Sequence, residues 1–307
     1  MNLSEICKRE GFQEVFLLPN AAYTAWTRHR NDGAFHSNTD KLAEDPRLAY
    51  AWANVCMICA WPYQPYDDPD VIAAYYPASN AAYHAMTRLL QQLNANGIRA
   101  ERASTPYRTQ LLQAGIGTKM DNQLWYYPPY GTYVHLEGAM LLVPEPVNYT
   151  LPTGNKAVCD HCRACEKRCY GAIRNGVYEW RNCIRSYLEN DPMPDRFISE
   201  LSTFMGCQNC QDDCPKNPIQ RIPVPDDVRK ALDPLEILKG NVTPALEIVG
   251  KNRKKMLIRQ AVILCANRHL IEALPYLQNL QERDTGMLQN ELTYAIKHLQ
   301  NEKNMVE

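Results

Sequence analysis

The chain has 307 residues, of which 45% are hydrophobic, and its formal net charge at pH 7 is −1. This length is sufficient for one large domain, or two of ordinary size, with a substantial core. The near-zero charge argues against a generally basic nucleic-acid-binding protein, although it allows a local basic patch.

The start of the sequence, MNLSEICKRE, contains a lysine and an arginine but no apolar run behind them. A secretory signal is therefore not expected. No stretch approaches the roughly eighteen uninterrupted apolar residues of a transmembrane helix. These features predict a cytoplasmic protein that does not span a membrane.

Residues 1–150 form a first zone in which predicted strands alternate with amphipathic helices. The near-continuous apolar run WANVCMICAW, Trp52 to Trp61, is typical of a buried strand. The segment from Ser79 to Gly97 opens on a capping residue, closes on glycine and keeps its apolar residues on one face, which predicts a helix. Tyr130 to Pro146 predicts another strand, ended by prolines. The alternation indicates an α/β layer.

Two further zones follow, a cysteine-rich one at 151–224 and a helical one at 225–307. Within the last zone, Ala273 to Leu299 predicts two helices with a break at Thr285–Gly286, and Asn241 to Asn267 repeats this shape. The duplication is typical of stacked HEAT-type helical pairs, although a simple terminal bundle explains it equally well. The predicted class is α+β, with an α/β domain, an inserted ferredoxin-like domain and a HEAT-like tail.

Cysteine usage is the most informative feature of the sequence. Disulfide scaffolds suit short secreted chains, so twelve cysteines in a chain of this size favour a metal or cluster protein. The first motif, C-x2-C-x2-C-x3-C, has Cys159, Cys162, Cys165 and Cys169. The second motif, C-x2-C-x3-C-P, has Cys207, Cys210 and Cys214, and Cys183 lies between the two motifs.

These eight cysteines are enough for two [4Fe–4S] clusters. A C-x2-C-x2-C turn provides three ligands to one cluster, and the cysteine that follows ligates the other cluster. This rule assigns Cys159, Cys162, Cys165 and Cys214 to the first cluster. It assigns Cys169, Cys207 and Cys210 to the second, in which Cys183 takes the place of the usual fourth cysteine. Zinc is the competing interpretation, although the triple run is awkward for a zinc site. The remaining cysteines are Cys7, Cys56, Cys59 and Cys265, of which Cys56 and Cys59 are expected to be small core residues.

Two neighbouring clusters transfer single electrons, so they are expected to supply another redox centre. A usual nicotinamide or flavin site is not supported, because the segment from Ala114 to Lys119 matches the glycine-rich dinucleotide fingerprint only in part.

With these motifs the sequence resembles the epoxyqueuosine reductases, cobalamin-dependent iron–sulfur enzymes of tRNA queuosine synthesis that are related in fold to reductive dehalogenases. The resemblance is carried mainly by RNCIRSYL around Cys183 and by GCQNCQDDCPKN. It continues in Ala82 to Leu93, Ala114 to Gly117 and Asn122 to Leu136, and it covers roughly residues 45–300.

The resemblance implies a corrinoid in the α/β domain, with the clusters delivering electrons from an external donor to its cobalt. A reduced cobalt would then break a C–O or similar bond in the substrate, while the protein provides orientation and a proton donor. The residues that match the corrinoid segments of the family are Gly115, Gly117, Asn122, Tyr130 and Gly131.

The departures from the family fall where chemistry is expected. The proton-donating aspartate aligns with Ala103, and a Glu-Arg pair aligns with Thr109 and Gln110. The family's lysine aligns with Asp121. Tyr107 and Asp121 are therefore candidate replacement donors, although eighteen tyrosines make a chance placement of Tyr107 plausible. The pattern indicates a retained electron-transfer half and a changed substrate half.

Two functions stay open at this point. One is a reductase of the epoxyqueuosine-reductase type with a changed substrate, and the other is a non-catalytic electron-transfer or corrinoid-binding partner protein. Binding of tRNA is also open, because the basic segment Lys251 to Arg259 could contact phosphates, although a solvated helix face is the commoner explanation. His84 and His135 are further pocket candidates, but a histidine beside an apolar face is more often structural.

Overall fold

The computed structural model describes residues 3–22, 45–103, 105–153, 158–188, 193–284, 286 and 288–306. The chain divides into two compact units. Unit 1 comprises Met1–Gln64, Ala78–Asn182 and Asn209–Gln220, and unit 2 comprises Pro65–Pro77, Cys183–Gln208 and Arg221–Glu307. The cysteine-rich zone contributes to both units, and the division into three domains stays a prediction.

The secondary structure is mixed. The strands are β1 (Glu14–Pro19), β2 (Val55–Pro62), β3 (Arg99–Arg102), β4 (Thr118–Lys119), β5 (Trp125–Tyr126), β6 (Val134–Leu142), β7 (Ile173–Arg174) and β8 (Val177–Tyr178). The helices of the first two zones are α1 (Leu3–Arg9), α2 (Pro46–Ala49), α3 (Tyr75–Ala95), α4 (Tyr107–Gln113), α5 (Ala164–Arg168), α6 (Asp195–Ile198) and α7 (Asn209–Asp212). The helical zone contains α8 (Asp226–Ala231), α9 (Pro234–Leu238), α10 (Thr243–Val249), α11 (Lys254–Asn267), α12 (Leu274–Arg283) and α13 (Gln289–Val306).

Unit 1 contains a four-stranded antiparallel sheet in the order β1-β2-β6-β3. The predicted apolar strand is confirmed as β2, which lies inside the sheet and is buried from Val55 to Ala60. The second predicted strand is confirmed as β6, and it pairs with β2 so that Met57 lies opposite Ala139. A strand that is covered on both faces needs apolar residues at every position, which explains its unbroken apolar run.

Each face of this sheet has its own apolar cluster. On one face Met57 and Cys59 pack with Met86 and Leu89 of α3, which confirms the predicted helix with a start four residues before Ser79. On the other face Cys56 and Ile58 pack with Leu111, Ile116 and Trp125. Burial of each large aliphatic side chain stabilises the fold by roughly 1.5–3 kcal/mol. The second face carries the segments that the family resemblance assigns to the corrinoid.

Unit 2 contains the helical zone, and the two predicted helix pairs are confirmed as α10 with α11 and α12 with α13. Their core includes Val262, Cys265, Leu277 and Leu292. Of the predicted break, Gly286 has a φ of 95°, whereas Thr285 lies outside the described residues. The HEAT-type relation between the pairs stays a prediction. No helix in the described ranges is both long and apolar enough to cross a bilayer.

Candidate functional site

The four cysteines assigned to the first cluster line one cavity, and all four belong to unit 1. The cavity is lined by Met120, Asp121, Asn122, Cys159, Asp160, Cys162, Arg163, Cys165, Cys214, Pro215 and Lys216. The convergence of four thiols from two distant stretches of sequence is what the spacing rule predicts for the first cluster. Ligation of iron by these thiols stays a prediction.

The loop from Cys159 to Cys165 curls because of two residues in left-handed conformation. His161 has a φ of 53° and Arg163 a φ of 62°, one in each two-residue gap between cysteines. Non-glycine residues rarely adopt this conformation because it costs free energy, and such residues cluster at functional sites that need a tightly curled backbone. The Arg163 guanidinium donates two hydrogen bonds to Glu166, at 2.8 and 3.0 Å, which stabilise the start of α5.

The fourth thiol, Cys214, is positioned by a separate network. Asn217 Nδ2 donates to Thr132 Oγ1 at 2.8 Å, and the Thr132 N–H donates to Asn217 Oδ1 at 2.8 Å. Gly131 lies directly under Asn217 with a φ of 65°, and a Cβ there would overlap the Asn217 side chain and Pro218. Gly131 therefore has a packing role in holding the Cys214 segment, whatever its relation to a corrinoid.

Two further predicted residues, Asp121 and Asn122, also line the cysteine cavity. Asn122 is buried, and its side-chain nitrogen donates to the carbonyl of Cys210 at 3.0 Å. Asp121 accepts from His161 Nδ1, which is 3.0 Å from each carboxylate oxygen. The ligand atoms of Asp121, Cys159 and His161 all lie within 4.8 Å of one another. Sequence reasoning missed His161, although its place inside the motif CDHC was an available signal.

The local environment favours the protonated form of two of the four thiols, Cys165 and Cys214. Burial raises the pKa of Cys165 to about 11, and the nearby Asp121 carboxylate acts in the same direction. Burial also raises the pKa of Cys214, while the backbone N–H groups of Lys216 and Asn217 act in the opposite direction. Thiolates bind metal, so loading of this site releases protons. Four thiols around one cavity are a donor set that fits a [4Fe–4S] cluster, and by ligand type alone also zinc.

The cysteines assigned to the second cluster are divided between the units. Cys169 and Cys210 belong to unit 1, whereas Cys183 and Cys207 belong to unit 2. Their joint assignment to one cluster stays a prediction.

The four remaining cysteines, Cys7, Cys56, Cys59 and Cys265, are fully buried. Burial raises the pKa of Cys56 and of Cys265 to about 12. The prediction that Cys56 and Cys59 are small core residues is confirmed.

The segment from Ala103 to Gln110, which aligns with the family's proton-donor segment, is closed, in the sense that its described buried polar side chains bond to groups of the chain itself. Ala103 is only 3% exposed and packs in the apolar cluster with Cys56. The Tyr107 hydroxyl donates to the carbonyl of Ala103, and its ring lies against Gly138. Burial raises the pKa of Tyr107 well above that of an ordinary phenol. Of the two candidate donors, Tyr107 thus lies on the sheet and Asp121 at the cysteine cavity, and their roles as donors stay predictions.

A buried hydrogen-bonded chain completes this segment. Thr105 Oγ1 donates to Gln110 Oε1 at 2.8 Å, and Gln110 Nε2 donates to Cys56 Sγ at 3.0 Å. Thr105 and Gln110 are each 2% exposed. Gln110, which aligns with the family's arginine, therefore uses its side-chain amide for hydrogen bonds to Thr105 and Cys56.

The other residues expected near a corrinoid also have partners within the chain. Gly117 has a φ of 70° and lies against the Trp125 ring, whose indole N–H donates to the Ile116 carbonyl at 2.9 Å. Gly115 has a φ of 70° and faces Pro152. Burial and the nearby Glu14 carboxylate raise the pKa of Tyr130. These contacts explain the residue types without a cofactor, so a corrinoid role stays a prediction.

The two candidate histidines occupy unlike places. His135 Nε2 lies 3.2 Å from Glu137 Oε1, which also pairs with Arg102 through its second oxygen. His84 is exposed on α3. His135 therefore has a structural partner.

The basic segment Lys251 to Arg259 exposes fewer basic side chains than its sequence indicates. Lys251, Lys254 and Lys255 are exposed, whereas Arg259 is 8% exposed and donates to the carbonyl of Tyr187 at 2.5 Å. Arg259 is therefore not available to a phosphate, because its charge is used inside unit 2.

Comparison with known proteins gives relatives in both sequence and fold, although no family model matches the chain. Epoxyqueuosine reductase of Staphylococcus aureus is 28% identical over 191 residues, which cover 56% of this chain and 48% of the relative. The Bacillus subtilis enzyme is 29% identical over 190 residues, and that of Synechococcus is 27% identical over 250 residues, covering 70% of this chain and 76% of the relative. The chain thus spans about half the length of the first two relatives.

Solved structures match over nearly the whole chain. Epoxyqueuosine reductase from Streptococcus thermophilus superimposes with a TM-score of 0.75 at 17% identity, covering 97% of this chain and 89% of the other. A crystal structure of epoxyqueuosine reductase with an epoxyqueuosine-modified tRNA-Tyr stem loop gives a TM-score of 0.77 at 20% identity, with the same coverage. The mixed α/β fold is therefore that of these reductases, and the resemblance to the epoxyqueuosine reductase family is confirmed.

Proposed function

We propose that this chain is an iron–sulfur oxidoreductase of the epoxyqueuosine-reductase type, in which two [4Fe–4S] clusters pass electrons to a corrinoid. The observation that carries the proposal is the cavity at which Cys159, Cys162, Cys165 and Cys214 converge. The relatives are named as reductases, which supports the same class for this chain. Reducible clusters also favour a cytoplasmic location, which stays a prediction.

Zinc is distinguished from iron by composition. Anaerobically purified protein should contain about eight irons and eight sulfides per chain, as two [4Fe–4S] clusters require. Protein with stoichiometric zinc at the cysteines, and no acid-labile sulfide after anaerobic reconstitution, would contradict the cluster assignment.

The corrinoid is tested by anaerobic titration of the cluster-loaded protein with cob(II)alamin, followed by visible absorption and EPR. When bound, a corrinoid supplies a strongly reducing cobalt centre, and the chain supplies the pocket that holds it and excludes water. We expect stoichiometric binding with a changed cobalt signal. Tyr130→Phe, which removes one hydroxyl near the expected pocket, should weaken binding, while Tyr276→Phe in unit 2 should not. Unchanged cobalt signals with intact clusters would contradict the corrinoid.

The substrate is proposed to differ from that of the relatives, because the family's aspartate is Ala103. A stem loop that carries epoxyqueuosine and a set of simpler epoxides are suitable probes in a reduction assay with an artificial electron donor. We expect no turnover of epoxyqueuosine. If another substrate is reduced, Tyr107→Phe and Asp121→Asn identify the proton donor, because only loss of the donating group should abolish turnover. Efficient reduction of epoxyqueuosine would contradict a changed substrate.

A non-catalytic electron carrier is the second candidate. It is favoured by the closed donor segment, in which Tyr107 donates to the Ala103 carbonyl and Gln110 to Cys56. A carrier should oxidise and reduce with one stoichiometric protein partner and show no small-molecule turnover alone. Turnover by the purified chain with a chemical reductant would exclude this function.

Transfer RNA is the proposed macromolecular partner, since one structural neighbour contains a tRNA stem loop. The exposed lysines of the basic segment would contact phosphates. Replacement of Lys254 and Lys255 by glutamate should lower the affinity for a tRNA stem loop and flatten its salt dependence, because each lost phosphate contact reduces the slope by about one. Lys230→Glu, an exposed lysine outside the segment, is the matched control. Equal effects of both changes would argue against this surface.

A further inference from the structure

Outside the cysteine cavity, unit 2 contains a group of side chains of the types that ligate metal ions. It consists of His269, His298 and Glu302. His298 and Glu302 are one turn apart on α13, so both project from the same face of that helix. His269 comes from the turn that follows α11. Three ligand-type groups are thereby contributed by two elements that are distant in sequence.

The distances within this group suit a single ion. His298 Nε2 lies 3.2 Å from Glu302 Oε1, and His269 Nδ1 contacts the same oxygen. All three ligand atoms lie within 4.8 Å of one another. Two donors bound tetrahedrally at about 2.0–2.1 Å from zinc are separated by roughly 3.3 Å. Small side-chain adjustments would therefore bring the three atoms to one metal.

Two buried ligand atoms of this group lack hydrogen bonds. His298 Nε2 and Glu302 Oε2 are both buried, and neither has a hydrogen-bond partner among the described residues. The contact of 3.2 Å between His298 and Glu302 is thus close without being aligned as a hydrogen bond. Buried polar atoms without partners are costly, and a bound ion satisfies such atoms, as an ordered water does.

The His298 ring packs against an aromatic neighbour that is itself hydrogen-bonded. Its ring stacks on Tyr294 with centroids 5.7 Å apart and planes inclined by 20°. The Tyr294 hydroxyl in turn donates to Asn267 Oδ1 at 2.8 Å. This packing limits rotation of the His298 ring.

The backbone of His269 adds an independent observation. It has a φ of 58° at the end of α11, where the Leu270 N–H donates to the Cys265 carbonyl at 2.9 Å. This is the Schellman arrangement, whose left-handed position is usually occupied by glycine. A non-glycine residue in this conformation costs roughly 1 kcal/mol or more, so the histidine side chain is expected to have a use.

We propose that His269, His298 and Glu302 bind a divalent transition-metal ion, with Zn²⁺ as the best match to two imidazoles and one carboxylate. The ion links α13 to the turn after α11. His269 is 65% exposed, so the fourth coordination position faces solvent and takes water. This site is independent of the proposed redox function, and it would exist in either of the two candidate functions.

The experiment uses the untagged, cluster-loaded chain of 307 residues under anaerobic conditions, titrated with Zn²⁺. We expect one zinc per chain, with X-ray absorption showing nitrogen and oxygen ligands at about 2.0–2.1 Å, whereas cysteine ligation would give sulfur at about 2.3 Å. His298→Ala and Glu302→Gln should each weaken zinc binding at least tenfold. His84→Ala, which removes an exposed histidine of unit 1, should not. Sulfur ligation of all bound zinc, or equal binding by every variant, would overturn the proposal.

His269→Gly separates a metal site from a simple ion pair. Glycine suits the left-handed backbone, so without zinc this variant should unfold at the temperature of the unmodified protein or above it. Zinc should raise the unfolding temperature of the unmodified protein by several degrees and leave that of His269→Gly unchanged. A lower unfolding temperature for His269→Gly without zinc, together with no response of the unmodified protein to zinc, would show an ion pair instead.

Discussion

The cysteine cavity and the donor segment are both parts of unit 1, and they use their polar groups in opposite ways. Around the cavity the backbone adopts left-handed conformations at His161 and Arg163, and four thiols converge on space that the chain does not fill. In the donor segment Thr105, Gln110 and Tyr107 each donate to a group inside the protein, and Ala103 packs in an apolar cluster.

This difference indicates that the cysteine cavity, and not the donor segment, is suited to bind a ligand from outside the chain. The left-handed backbone at two non-glycine residues of this loop costs free energy, and binding of a metal by the four thiols would offset that cost. The polar groups of the buried donor segment already have hydrogen-bond partners within the chain, so they need no ligand. The contrast supports a retained electron-transfer half and a changed substrate half, and the following tests bear on one side of it or the other.

The largest effect is expected at the cavity. Cys165→Ser should remove about half of the iron and sulfide of the purified protein, because a thiolate ligand of the first cluster is lost. Metal analysis and EPR of the reduced protein check this result. Cys265→Ala, which changes a buried thiol of unit 2, should keep the full iron content. Equal iron in both variants would remove Cys165 from the ligand set.

Ala103→Asp tests whether the donor position is closed. We expect the free energy of unfolding in urea to fall by about 3 kcal/mol or more near neutral pH, because an unpaired carboxylate is buried. Burial would raise the pKa of this carboxyl, so the loss should shrink as the pH falls toward about 4, where the unfolded state also binds the proton.

The control for Ala103→Asp is Ala81→Asp on the exposed face of α3, which should change stability by only about 0.5 kcal/mol. If Ala103→Asp were as stable as the unmodified protein at neutral pH, the position would open into a polar pocket, as the family's aspartate requires. The contrast between the two regions would then fail.

Gly131→Ala addresses the support of the cavity. The added Cβ would overlap Asn217 and Pro218 in a left-handed backbone conformation, so we expect a loss of about 2–4 kcal/mol in unfolding free energy. Gly97→Ala is the matched control, since Gly97 has a φ of 79° and no atom within 4 Å of the added Cβ. Its loss should be about 1 kcal/mol, from backbone conformation alone. Similar losses would mean that the Asn217 contact is not tight.

The smallest effect concerns the buried thiol of the donor region. The pKa of Cys56 is raised to about 12 from an ordinary 9.0, so above pH 9 the unfolded state loses a proton that the folded state keeps. Stability therefore falls as the pH rises. In Cys56→Ala this decline should be shallower by up to about 1.4 kcal/mol per pH unit, measured by urea unfolding between about pH 8 and pH 10. An unchanged slope would show that Cys56 is accessible to solvent.

Local patterns predicted the secondary structure well. The apolar run of β2 and the one-sided apolar pattern of α3 follow from neighbours in sequence, and both elements form where they were expected. The spacing rule grouped Cys214 with Cys159, Cys162 and Cys165, and these four cysteines line one cavity, whereas their ligation of a cluster stays a prediction.

Groups that are distant in sequence could not be placed in this way. Asp121 was expected in a substrate pocket, yet it lies beside His161, forty residues along the chain, at the cysteine cavity. Arg259 was counted in a basic patch, but its helix faces the interior at that position. Neither the periodicity of apolar residues nor the spacing of motifs predicts which loops contact one another.

The sequence by itself determined the cysteine motifs, the main strands and helices and the family resemblance, because each depends on short-range spacing that physical chemistry restricts. Only the tertiary structure decided that the donor segment is closed, that Asn122 and Gly131 support the cysteine cavity, and that His269 meets His298 and Glu302. Those contacts depend on how distant segments pack, and packing is set by the whole core rather than by any one stretch of residues.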